Sequence, residues 1–360
     1  MSAARPVVPS SLSRRTLIRN AGMLALGAAI APEVLAACAS SSSGGAAASA
    51  SGAALADVSI QLNYLENVQF AGTLMALGKG YYKANGLNVT VIPGGANVAP
   101  EPVVASGKAL VGVTHTAEAV AAINNGAALT IVGAAFQKSP TCMISLASSP
   151  IKTPREMIGK KIGISDTNMP IWTAFLKANG ISASAVKVNT VEFSTQPLAD
   201  GQVDAIMGFY SNEPIILAEQ GVPTSVFLLS DFGYPIVDDV YVVASDSLTN
   251  PTTLKQVVGL MTAEALGWRA AIADPDAAAS YAVNVYGKAL KLSMAQQVAS
   301  MKAEAALVAT PATAKYGLLR LTPTVTAQTI KSLDLGGTEA STSMFSDKVL
   351  SEVYKSGVIA

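Results

Sequence analysis

Cysteine and histidine are nearly absent from this sequence, whose 360 residues include two cysteines and one histidine. A single histidine cannot build a metal centre of the kind that histidine and cysteine ligands form. The chain also lacks the G-x-S-x-G turn of serine hydrolases and the glycine-rich phosphate loop of nucleotide-hydrolysing enzymes. Because no catalytic set emerges, we predict a protein that is not an enzyme and that uses neither a metal nor a cofactor.

The chain has no excess of charge of either sign, because 24 lysine and arginine residues balance 24 aspartate and glutamate residues. A balanced chain lacks the basic surface that nucleic acid requires, so we expect no nucleic-acid partner. Half of the residues are apolar, which is enough for a large core or for two lobes. We expect a monomer, and beyond the N-terminal region no apolar run is long enough to span a membrane.

Arginine is scarce in the rest of the chain: beyond the N-terminal region, only Arg155, Arg269 and Arg320 occur. We predict all three on helix surfaces. Arginine is the usual planar partner of sulfonate, phosphate and carboxylate groups. A strongly anionic ligand is therefore disfavoured.

The first forty residues have the pattern of an export signal. Arg14 and Arg15 precede a short apolar run, and Leu-Ala-Ala-Cys, which resembles a bacterial lipobox, ends at Cys38. The apolar run is shorter than the roughly 20 residues needed to cross a bilayer. We predict a twin-arginine-type signal peptide over residues 1–37 and a lipid anchor on Cys38; an ordinary signal peptide with a chance cysteine is the alternative. Cys142, the only other cysteine, then has no intramolecular disulfide partner.

The rest of the chain is predicted to form an α/β fold of two lobes. Residues 38–57 are mostly alanine, serine and glycine, and we predict a flexible tether there because these residues bury too little surface to fold. From Val58 onward, short β-rich runs alternate with helical runs, as in a mostly parallel α/β sheet. We assign residues 58–145 and 243–360 to lobe 1 and residues 146–242 to lobe 2, with a hinged ligand cleft between the lobes.

Candidate ligand-binding residues follow from the geometry of open α/β sheets, in which ligands bind beyond the carboxyl ends of the strands. The candidates are Tyr64, Asn67, Gln69, Phe70, Thr114, Thr116, Gln137, Ser139, Asn168, Tyr210, Asn212, Glu213, Tyr234 and Asp238. The set is rich in aromatic rings, amides and hydroxyls. It suits a flat, neutral or weakly basic heterocycle that stacks on rings and forms hydrogen bonds at its rim.

Some of these residues have a more specific predicted role. Tyr64 and Tyr210 are the candidates for stacking on the ligand. The candidates for hydrogen bonds to its rim are Asn67, Gln69, Asn212 and Glu213. Structural alternatives remain for four residues of the set. Tyr64 and Phe70 can pack under the first helix, Asn67 can cap it, and Glu213 can be a solvated acid of its loop. For His115, outside the set, we favour a structural role.

An ordered series of motifs resembles the solute-binding proteins of ABC importers in the superfamily of thiamine-pyrimidine-precursor and nitrate, sulfonate and taurine binders. The motifs are NYLENVQFAG, ALGKGYYKANGLNVTVIPGG, FQKSP, GKKIGI and VDAIMGFYSNEPIIL. The resemblance extends from about Val58 to beyond Ser245. It implies a type II periplasmic-binding fold, in which two α/β lobes close on a ligand by hinge motion.

Within that superfamily, the chain is most similar to the pyrimidine-precursor and riboflavin binders. Their first-strand motif has an aromatic residue, then Pro-Asn, then histidine or phenylalanine before alanine. Tyr64, Asn67, Phe70 and Ala71 match this motif, whereas Glu66 stands in place of the proline. The resemblance implies that this segment contacts the ligand.

Two further comparisons with the superfamily concern whether the chain binds its ligand or synthesises it. Asn212 and Glu213 match the Asn-Glu pair that contacts the heterocycle in such binding proteins. Fungal members of the superfamily are instead enzymes, which build the pyrimidine from their own histidine and a bound pyridoxal phosphate with the help of iron and a cysteine-rich motif. Phe70 stands where that histidine would lie, and this chain has no cysteine cluster. The resemblance therefore implies capture of a ligand without turnover.

The sequence thus predicts a lipid-anchored receptor at the outer face of the cytoplasmic membrane or in the periplasm. It captures a small aromatic N-heterocycle, such as a pyrimidine thiamine precursor or a riboflavin-like molecule, and delivers it to an ABC permease. The alternatives are a sulfonate, nitrate or taurine binder, an exported pyrimidine-synthase-like enzyme, and a lipoprotein that acts as a sensor or adhesin without a small ligand.

Overall fold

The computed structural model describes residues 54–95, 98–192 and 194–357. The predicted signal peptide, Cys38 and most of the predicted tether lie outside the described residues. In the part of the chain that is described, no helix combines the length and the apolar character that a membrane span needs.

Strands and helices alternate along the described chain. The strands are β1 (Ala56–Gln61), β2 (Leu87–Ile92), β3 (Val111–Thr114), β4 (Leu129–Phe136), β5 (Thr141–Leu146), β6 (Lys161–Ile164), β7 (Lys187–Thr190), β8 (Ala205–Phe209), β9 (Thr224–Leu228) and β10 (Asp238–Ala244). The α-helices are α1 (Ala71–Gly78), α2 (Tyr81–Ala84), α3 (Pro100–Ala105), α4 (Thr116–Asn124), α5 (Met169–Ala178), α6 (Gln196–Ala199), α7 (Glu213–Glu219), α8 (Pro251–Ala273), α9 (Pro275–Ser280), α10 (Met294–Val308), α11 (Pro311–Tyr316), α12 (Pro323–Leu335) and α13 (Lys348–Val353). The 3-10 helix Val68–Phe70 precedes α1, and the π-helix Tyr281–Tyr286 continues α9.

The first sheet has five strands in the order β2-β1-β3-β10-β4. β1 is parallel to β2 and β3, whereas β10 is antiparallel to β3 and β4. All eight residues of β4 are buried, as expected of an apolar strand that helices cover on both faces. The carboxyl ends of β1, β3 and β4 and the amino end of β10 therefore lie at one edge of this sheet.

The second sheet has the order β7-β6-β8-β5-β9, with β6 parallel to β7 and β8, and β5 antiparallel to β8 and β9. Each sheet therefore has its antiparallel strand in the fourth position. The chain passes from the first sheet to the second through residues 137–140 and returns through residues 229–237. This arrangement confirms the predicted α/β fold with two lobes.

The strand pairing corrects three predicted boundaries. β5 pairs within the second sheet, so residues 141–145 do not belong to lobe 1. β10 pairs within the first sheet, so residues 238–242 do not belong to lobe 2. Ala56 and Asp57 pair with β2 and so belong to β1 instead of the tether. Hydrophobic patterns mark where strands occur, but they do not show which sheet a strand joins.

Among the arginines of the described residues, Arg320 is the one whose predicted helical position is wrong. It lies in the loop between α11 and α12, because α11 ends before Gly317, whose φ is 101°. Its guanidinium forms a bidentate pair with Asp347, with Nη2 2.7 Å from Oδ2 and Nε 3.1 Å from Oδ1. A guanidinium held in this way is already engaged by a carboxylate.

Helices α1 and α8 approach closely in the core of the first lobe because glycines meet at their contact. A Cβ atom at Gly267 would clash with the carbonyl oxygen of Gly72. Beside this contact, the fully buried carboxylate of Glu264 accepts three hydrogen bonds from hydroxyl groups. The donors are Thr73, Tyr82 and Tyr241. A buried carboxylate with three donors is well satisfied, so this network is part of the core.

Candidate ligand site between the two sheets

The edges of the two sheets meet through aromatic contacts. Phe209, the last residue of β8, packs edge-on against His115 after β3 and against Phe136 at the end of β4. The ring centroids are 6.3 Å and 6.1 Å apart, which is within the favourable range for such pairs. Phe209 therefore brings the second lobe against the strand ends of the first lobe, where ligands of α/β proteins bind.

Asp238 forms an ion pair with His115 at this edge. Asp238 Oδ1 lies 3.1 Å from His115 Nδ1, and the carboxylate also accepts hydrogen bonds from the Ser139 hydroxyl (3.3 Å) and the Thr116 amide (3.4 Å). Burial opposes the charged imidazole, but the Asp238 carboxylate raises the pKa of His115 to about 10. The His115 side chain is 39% exposed, so water partly screens the pair. His115 is a cation at neutral pH.

Asp239 combines an unusual backbone with a buried side chain. Its φ of 45° lies in the left-handed region that residues other than glycine rarely adopt. Successive residues of a regular strand point to opposite faces, whereas Asp238 and Asp239 both lie within 4 Å of His115. The Asp239 carboxylate accepts hydrogen bonds from Gln69 Nε2 (3.0 and 3.3 Å) and Asn63 Nδ2 (3.5 Å). Burial raises the pKa of Asp239 to about 7, although His115 opposes the rise.

Glu304 reaches the site from α10. It is 2% exposed, and its Oε2 has no hydrogen-bond partner among the described residues. Burial raises the pKa of Glu304 to about 8; the neighbouring Ser211 hydroxyl of the second lobe opposes this rise, and the Asp239 carboxylate adds to it. Two buried carboxyl groups therefore interact at the junction of the lobes.

Most of the buried side-chain atoms that lack a partner are acceptors. Within the described ranges, these acceptors are Asn63 Oδ1, Gln137 Oε1 and Glu304 Oε2; the fourth unpartnered atom is Ser230 Oγ. The Asn63 side chain donates a hydrogen bond to Asp239. The backbone N–H of Gln137 donates to the backbone carbonyl of Leu307, which lies one turn beyond Glu304. Buried polar atoms are nearly always paired, so a ligand or a water molecule at this part of the site can form hydrogen bonds with these atoms.

Three side chains at the site could approach a metal ion. The ligand atoms of His115, Asp238 and Asp239 lie within 4.8 Å of one another, the only such group in the described part of the chain. Within this group, His115 Nδ1 lies 3.1 Å from Asp238 Oδ1 and 3.8 Å from Asp239 Oδ1.

The Asn212-Glu213 pair of the second lobe forms local hydrogen bonds. Glu213 Oε2 accepts from the Phe209 amide (2.7 Å) and Oε1 accepts from Asn212 Nδ2 (3.2 Å). Burial raises the pKa of Glu213, while these hydrogen bonds lower it. Glu213 therefore fixes the turn from β8 to α7, and both of its oxygens are engaged. Asn212 Oδ1 accepts from Gln296 of α10 (3.4 Å).

The other predicted site residues differ in exposure. Tyr64 is 41% exposed, and Asn67 caps the 3-10 helix by accepting from the Gln69 amide at 2.9 Å, which confirms its structural alternative. The buried candidates are Phe70, Thr114, Thr116, Ser139 and Tyr234. The partly buried ones are Gln137, Asn168 and Tyr210. Phe70 belongs to the core of the first lobe, as its alternative predicts.

Sequence reasoning missed several residues of this site. They are Asn63, Phe209, Ser211, Asp239 and Glu304. Asp239 follows the predicted Asp238, but regular strand alternation places it on the other face of the sheet. Glu304 lies in the helical C-terminal part, where no local signal sets it apart. The structure also places His115, for which we favoured a structural role, between the lobes.

A shallow groove lies at the opposite end of the first sheet. It is lined by Asp57, Ser59, Lys108, Asp246 and Thr253, among others, and none of its lining residues is aromatic. It offers no ring face and no element of the second sheet. The candidate site at the junction of the two sheets, in contrast, has aromatic rings from both sheets.

Comparison with known proteins gives a family match. The family model described as NMT1/THI5 like matches residues 67–278, more than half of the chain. The matched segment contains the whole second sheet and the site residues Gln69, His115, Phe209 and Asp239. Glu304 lies beyond it.

Three relatives match with moderate identity. A Haemophilus influenzae protein named for thiamine biosynthesis is 26% identical over 57% of this chain and 66% of its own length. The riboflavin-binding protein RibY of Chloroflexus aurantiacus is 26% identical over 73% of this chain and 76% of its own. The formylaminopyrimidine-binding protein of Halalkalibacterium halodurans is 23% identical over 54% of this chain and 60% of its own. The chain thus spans about two thirds of their length.

Solved structures confirm the predicted fold. The periplasmic aliphatic sulphonate binding protein SsuA of Escherichia coli superposes with a TM-score of 0.61 at 14% identity, covering 78% of this chain and 86% of that chain. The desulfurization enzyme DSZB superposes with a TM-score of 0.54 at 13% identity, covering 83% of this chain and 99% of that chain. At these identities the similarity shows the fold alone, and that fold serves binding proteins and an enzyme.

Proposed function

The chain belongs to the NMT1/THI5-like family, and we propose that it is the extracytoplasmic substrate-binding lipoprotein of an ABC importer, which captures a small aromatic N-heterocycle between its lobes. One observation carries this proposal: the edges of both sheets meet at a buried site that has aromatic rings and unpartnered acceptors. An N-heterocycle supplies a flat face for the rings and donors for the acceptors.

The names of two relatives support this class of ligand. RibY is named for riboflavin and the Halalkalibacterium halodurans protein for formylaminopyrimidine. Both ligands contain a flat ring system with nitrogen atoms. In this chain, Phe209 and Phe136 provide ring edges at the site, and Tyr64 and Tyr210 remain our candidates for stacking on the ligand.

The lobes adopt an open and a closed arrangement, and the ligand binds the closed arrangement more tightly. A ligand that contacts both lobes stabilises the closed arrangement, which the permease then recognises. The connections at residues 137–140 and 229–237 absorb the hinge motion. Contacts from α10 to the second lobe favour closure, because Ser293 donates to Glu219 Oε1 (3.1 Å) and Gln296 donates to Asn212 Oδ1 (3.4 Å).

The proposed location follows from the N-terminal sequence. The twin-arginine pattern directs export, and a lipid on Cys38 holds the protein at the outer face of the membrane. Residues 38–55, which lie before β1, then act as a tether. The captured heterocycle is passed to a permease in the same membrane.

Charge argues against a sulfonate, nitrate or taurine ligand. Lys138 pairs with Asp231 (2.6 Å), and Arg320 pairs with Asp347. Asp238 and Asp239 lie beside His115 at the site, and a carboxylate repels an anion. This chain therefore shares the fold of SsuA, but we do not expect it to bind the sulphonate ligand for which SsuA is named.

Synthesis of a pyrimidine is also disfavoured. DSZB shows that this fold can support catalysis. Phe70, however, occupies the position at which the fungal enzymes are expected to carry their reacting histidine, and it is buried in the core. The protein therefore binds its ligand without chemical change.

Isothermal titration calorimetry of the purified protein tests this proposal. The titrants are 4-amino-5-hydroxymethyl-2-methylpyrimidine, its 4-oxo analogue, riboflavin, taurine and nitrate. We expect at least one heterocycle to bind with a dissociation constant of about 1 μM or tighter, equivalent to roughly −8 kcal/mol, and the two anions to give no heat of binding. Binding of taurine or nitrate alone would show that the ligand class is wrong.

A further inference from the structure

We propose that Gln297 of α10 is a positioning residue of the candidate site, because it fixes the segment from which Gln69 reaches the junction of the lobes. This segment, residues 67–70, is called the motif loop because it belongs to the first motif of the sequence. Gln297 lies outside residues 67–278, which match the family model. The inference rests on the proposed function, because it treats the junction as the ligand site.

The motif loop needs an acceptor for one of its backbone N–H groups. It contains the 3-10 helix Val68–Phe70, and the first N–H groups of a helix have no acceptor within the helix. Asn67 accepts from the Gln69 amide through its side chain (2.9 Å) and from the Phe70 amide through its carbonyl oxygen (3.1 Å). Val68 is 2% exposed, so its N–H group also requires an acceptor.

Gln297 supplies this acceptor. Its Oε1 atom lies 3.0 Å from the Val68 nitrogen and accepts the hydrogen bond, although the two residues are 229 positions apart in the sequence. Gln297 is 3% exposed, and a hydrogen bond in the protein interior is electrostatically stronger than one in water. Helix α10 is itself fixed, because Met301, Leu307 and Val308 belong to the core of the first lobe. The motif loop is therefore bonded to a rigid support.

Gln69 connects the motif loop to the site. Its Nε2 atom donates to Asp239 Oδ2 (3.0 Å) and Oδ1 (3.3 Å). Asp239 Oδ1 lies 3.8 Å from His115 Nδ1, and the His115 ring packs against Phe209 of the second lobe. A shift of the motif loop therefore moves Gln69 away from the carboxylate that lies beside His115.

Two further contacts from the C-terminal part of the chain support the same role for α10. A Cβ atom at Gly287 would lie 2.4 Å from the carbonyl oxygen of Glu66, so the chain after the π-helix packs against the residue that precedes the motif loop. Gln296, next to Gln297, donates to Asn212 Oδ1 of the second lobe (3.4 Å). Adjacent residues of α10 therefore contact both the motif loop and the Asn-Glu motif.

Hydrogen exchange of the ligand-free protein, measured by mass spectrometry, tests the inference. Gln297→Met keeps the length of the side chain but removes the oxygen acceptor. We expect the amides of the motif loop to exchange about tenfold faster in this variant, as loss of a buried hydrogen bond predicts. The rest of the first lobe should exchange within about threefold of the unmodified protein, because a local opening does not expose other segments.

Two variants show whether the acceptor atom at position 297 is what matters. Gln297→Glu keeps an oxygen acceptor, so exchange of the motif loop should stay within about threefold of the unmodified protein. Gln296→Met is the matched control, because it makes the same change at the neighbouring residue, whose hydrogen bond goes to the second lobe. It should leave exchange of the motif loop unchanged. Circular dichroism establishes which variants are folded.

Two measurements complete the test. The first needs no variant: in the unmodified protein, the Val68 amide should exchange about tenfold or more slowly than the amides of exposed loops. The second is calorimetry with 4-amino-5-hydroxymethyl-2-methylpyrimidine and with riboflavin. Each of these probes that binds the unmodified protein should bind Gln297→Met about tenfold more weakly, because Gln69 is no longer held at the site.

Three results would overturn the inference. The first is rapid exchange of the Val68 amide in the unmodified protein. The second is a folded Gln297→Met protein whose motif loop exchanges as slowly as in the unmodified protein, or no faster than the rest of its first lobe. The third is unchanged affinity of Gln297→Met for a probe that binds the unmodified protein. If neither probe binds, the proposed function is in doubt, while the exchange measurements still decide whether Gln297 fixes the motif loop.

Discussion

At the scale of single residues, the site depends on groups that the chain alone leaves unsatisfied. Asp239 adopts a left-handed backbone, and Glu304 keeps a buried oxygen without a partner. Strained backbones and unpartnered polar groups cluster at functional sites, because contacts with a ligand can offset the free energy that they cost the folded protein. The core carboxylate Glu264, by contrast, has three donors. Burial alone therefore does not identify a binding residue.

Glu304 is expected to make stability depend on pH. Its pKa is raised from the usual 4.5 to about 8 in the folded protein, so between these values the folded state binds more protons than the unfolded state. Stability therefore falls as pH rises from about 5 to about 8. Glu304→Gln should remove this part of the loss, raising the free energy of unfolding at pH 8 by at least ~1 kcal/mol, given about 1.4 kcal/mol per pKa unit.

Urea unfolding of the ligand-free protein at pH 5 and pH 8 measures this effect. The difference between Glu304→Gln and the unmodified protein should be small at pH 5 and clear at pH 8. An equal difference at both pH values would mean that Glu304 does not titrate in this range. Asp246→Asn, a change at an exposed position, serves as the control for the loss of one acidic group.

A rule of strand geometry was enough to place two predicted residues at the sheet edge, and their predicted contact with a ligand stays a prediction. Gln69 and Asp238 follow or begin strands at the expected edge, and the structure brings both into the hydrogen-bonded group around His115 and Asp239. Asp239 was missed because its backbone breaks strand alternation. Glu304 was missed because it is more than 60 residues beyond Asp239 in the chain, and only tertiary packing brings the two together.

At the scale of secondary-structure elements, the contact between α1 and α8 depends on glycine. Gly267→Ala places a methyl group against the carbonyl oxygen of Gly72. Alanine favours helices more than glycine does, yet overpacking typically costs about 1–3 kcal/mol, so we expect a net loss of stability of about 1 kcal/mol or more. Thr252→Ala, an exposed change on the same helix, should stay within roughly 0.5 kcal/mol of the unmodified protein.

Chemical denaturation compares the two variants directly. A Gly267→Ala protein as stable as the unmodified one would show that the helices can separate without cost. Such a result would also mean that the close approach of the helices does not explain the glycines at positions 72 and 267.

Helix α10 connects the lobes and is expected to influence closure. Ser293→Ala with Gln296→Ala removes its two hydrogen bonds to the second lobe. Because a surface hydrogen bond contributes about 0.5–1 kcal/mol, we expect ligand binding to weaken about threefold or more. Gln196→Ala is the control, since Gln196 bonds Asp200 within the second lobe. Unchanged calorimetric affinity in the double variant would mean that α10 does not favour the closed arrangement.

At the scale of the whole molecule, the two sheets have the same order of parallel and antiparallel strands. The alternation of strand and helix patterns was enough to predict two α/β lobes, because each pattern has its own period. The exchange of β5 and β10 between the lobes was not fully predictable. The connection between β4 and β5 is only residues 137–140, and apolar residues continue on both sides of it.

The proposed ligand site draws on both lobes. The first lobe contributes Asp239 and Glu304, and the second contributes Phe209 and Ser211. A ligand bound at the junction would therefore contact both lobes at once.

A crystal structure with 4-amino-5-hydroxymethyl-2-methylpyrimidine shows whether the ligand is bound between the lobes. We predict electron density for the ring between the two sheets, with its face beside Phe209. Density in the groove lined by Asp57 and Asp246, or on one lobe alone, would contradict capture between the lobes.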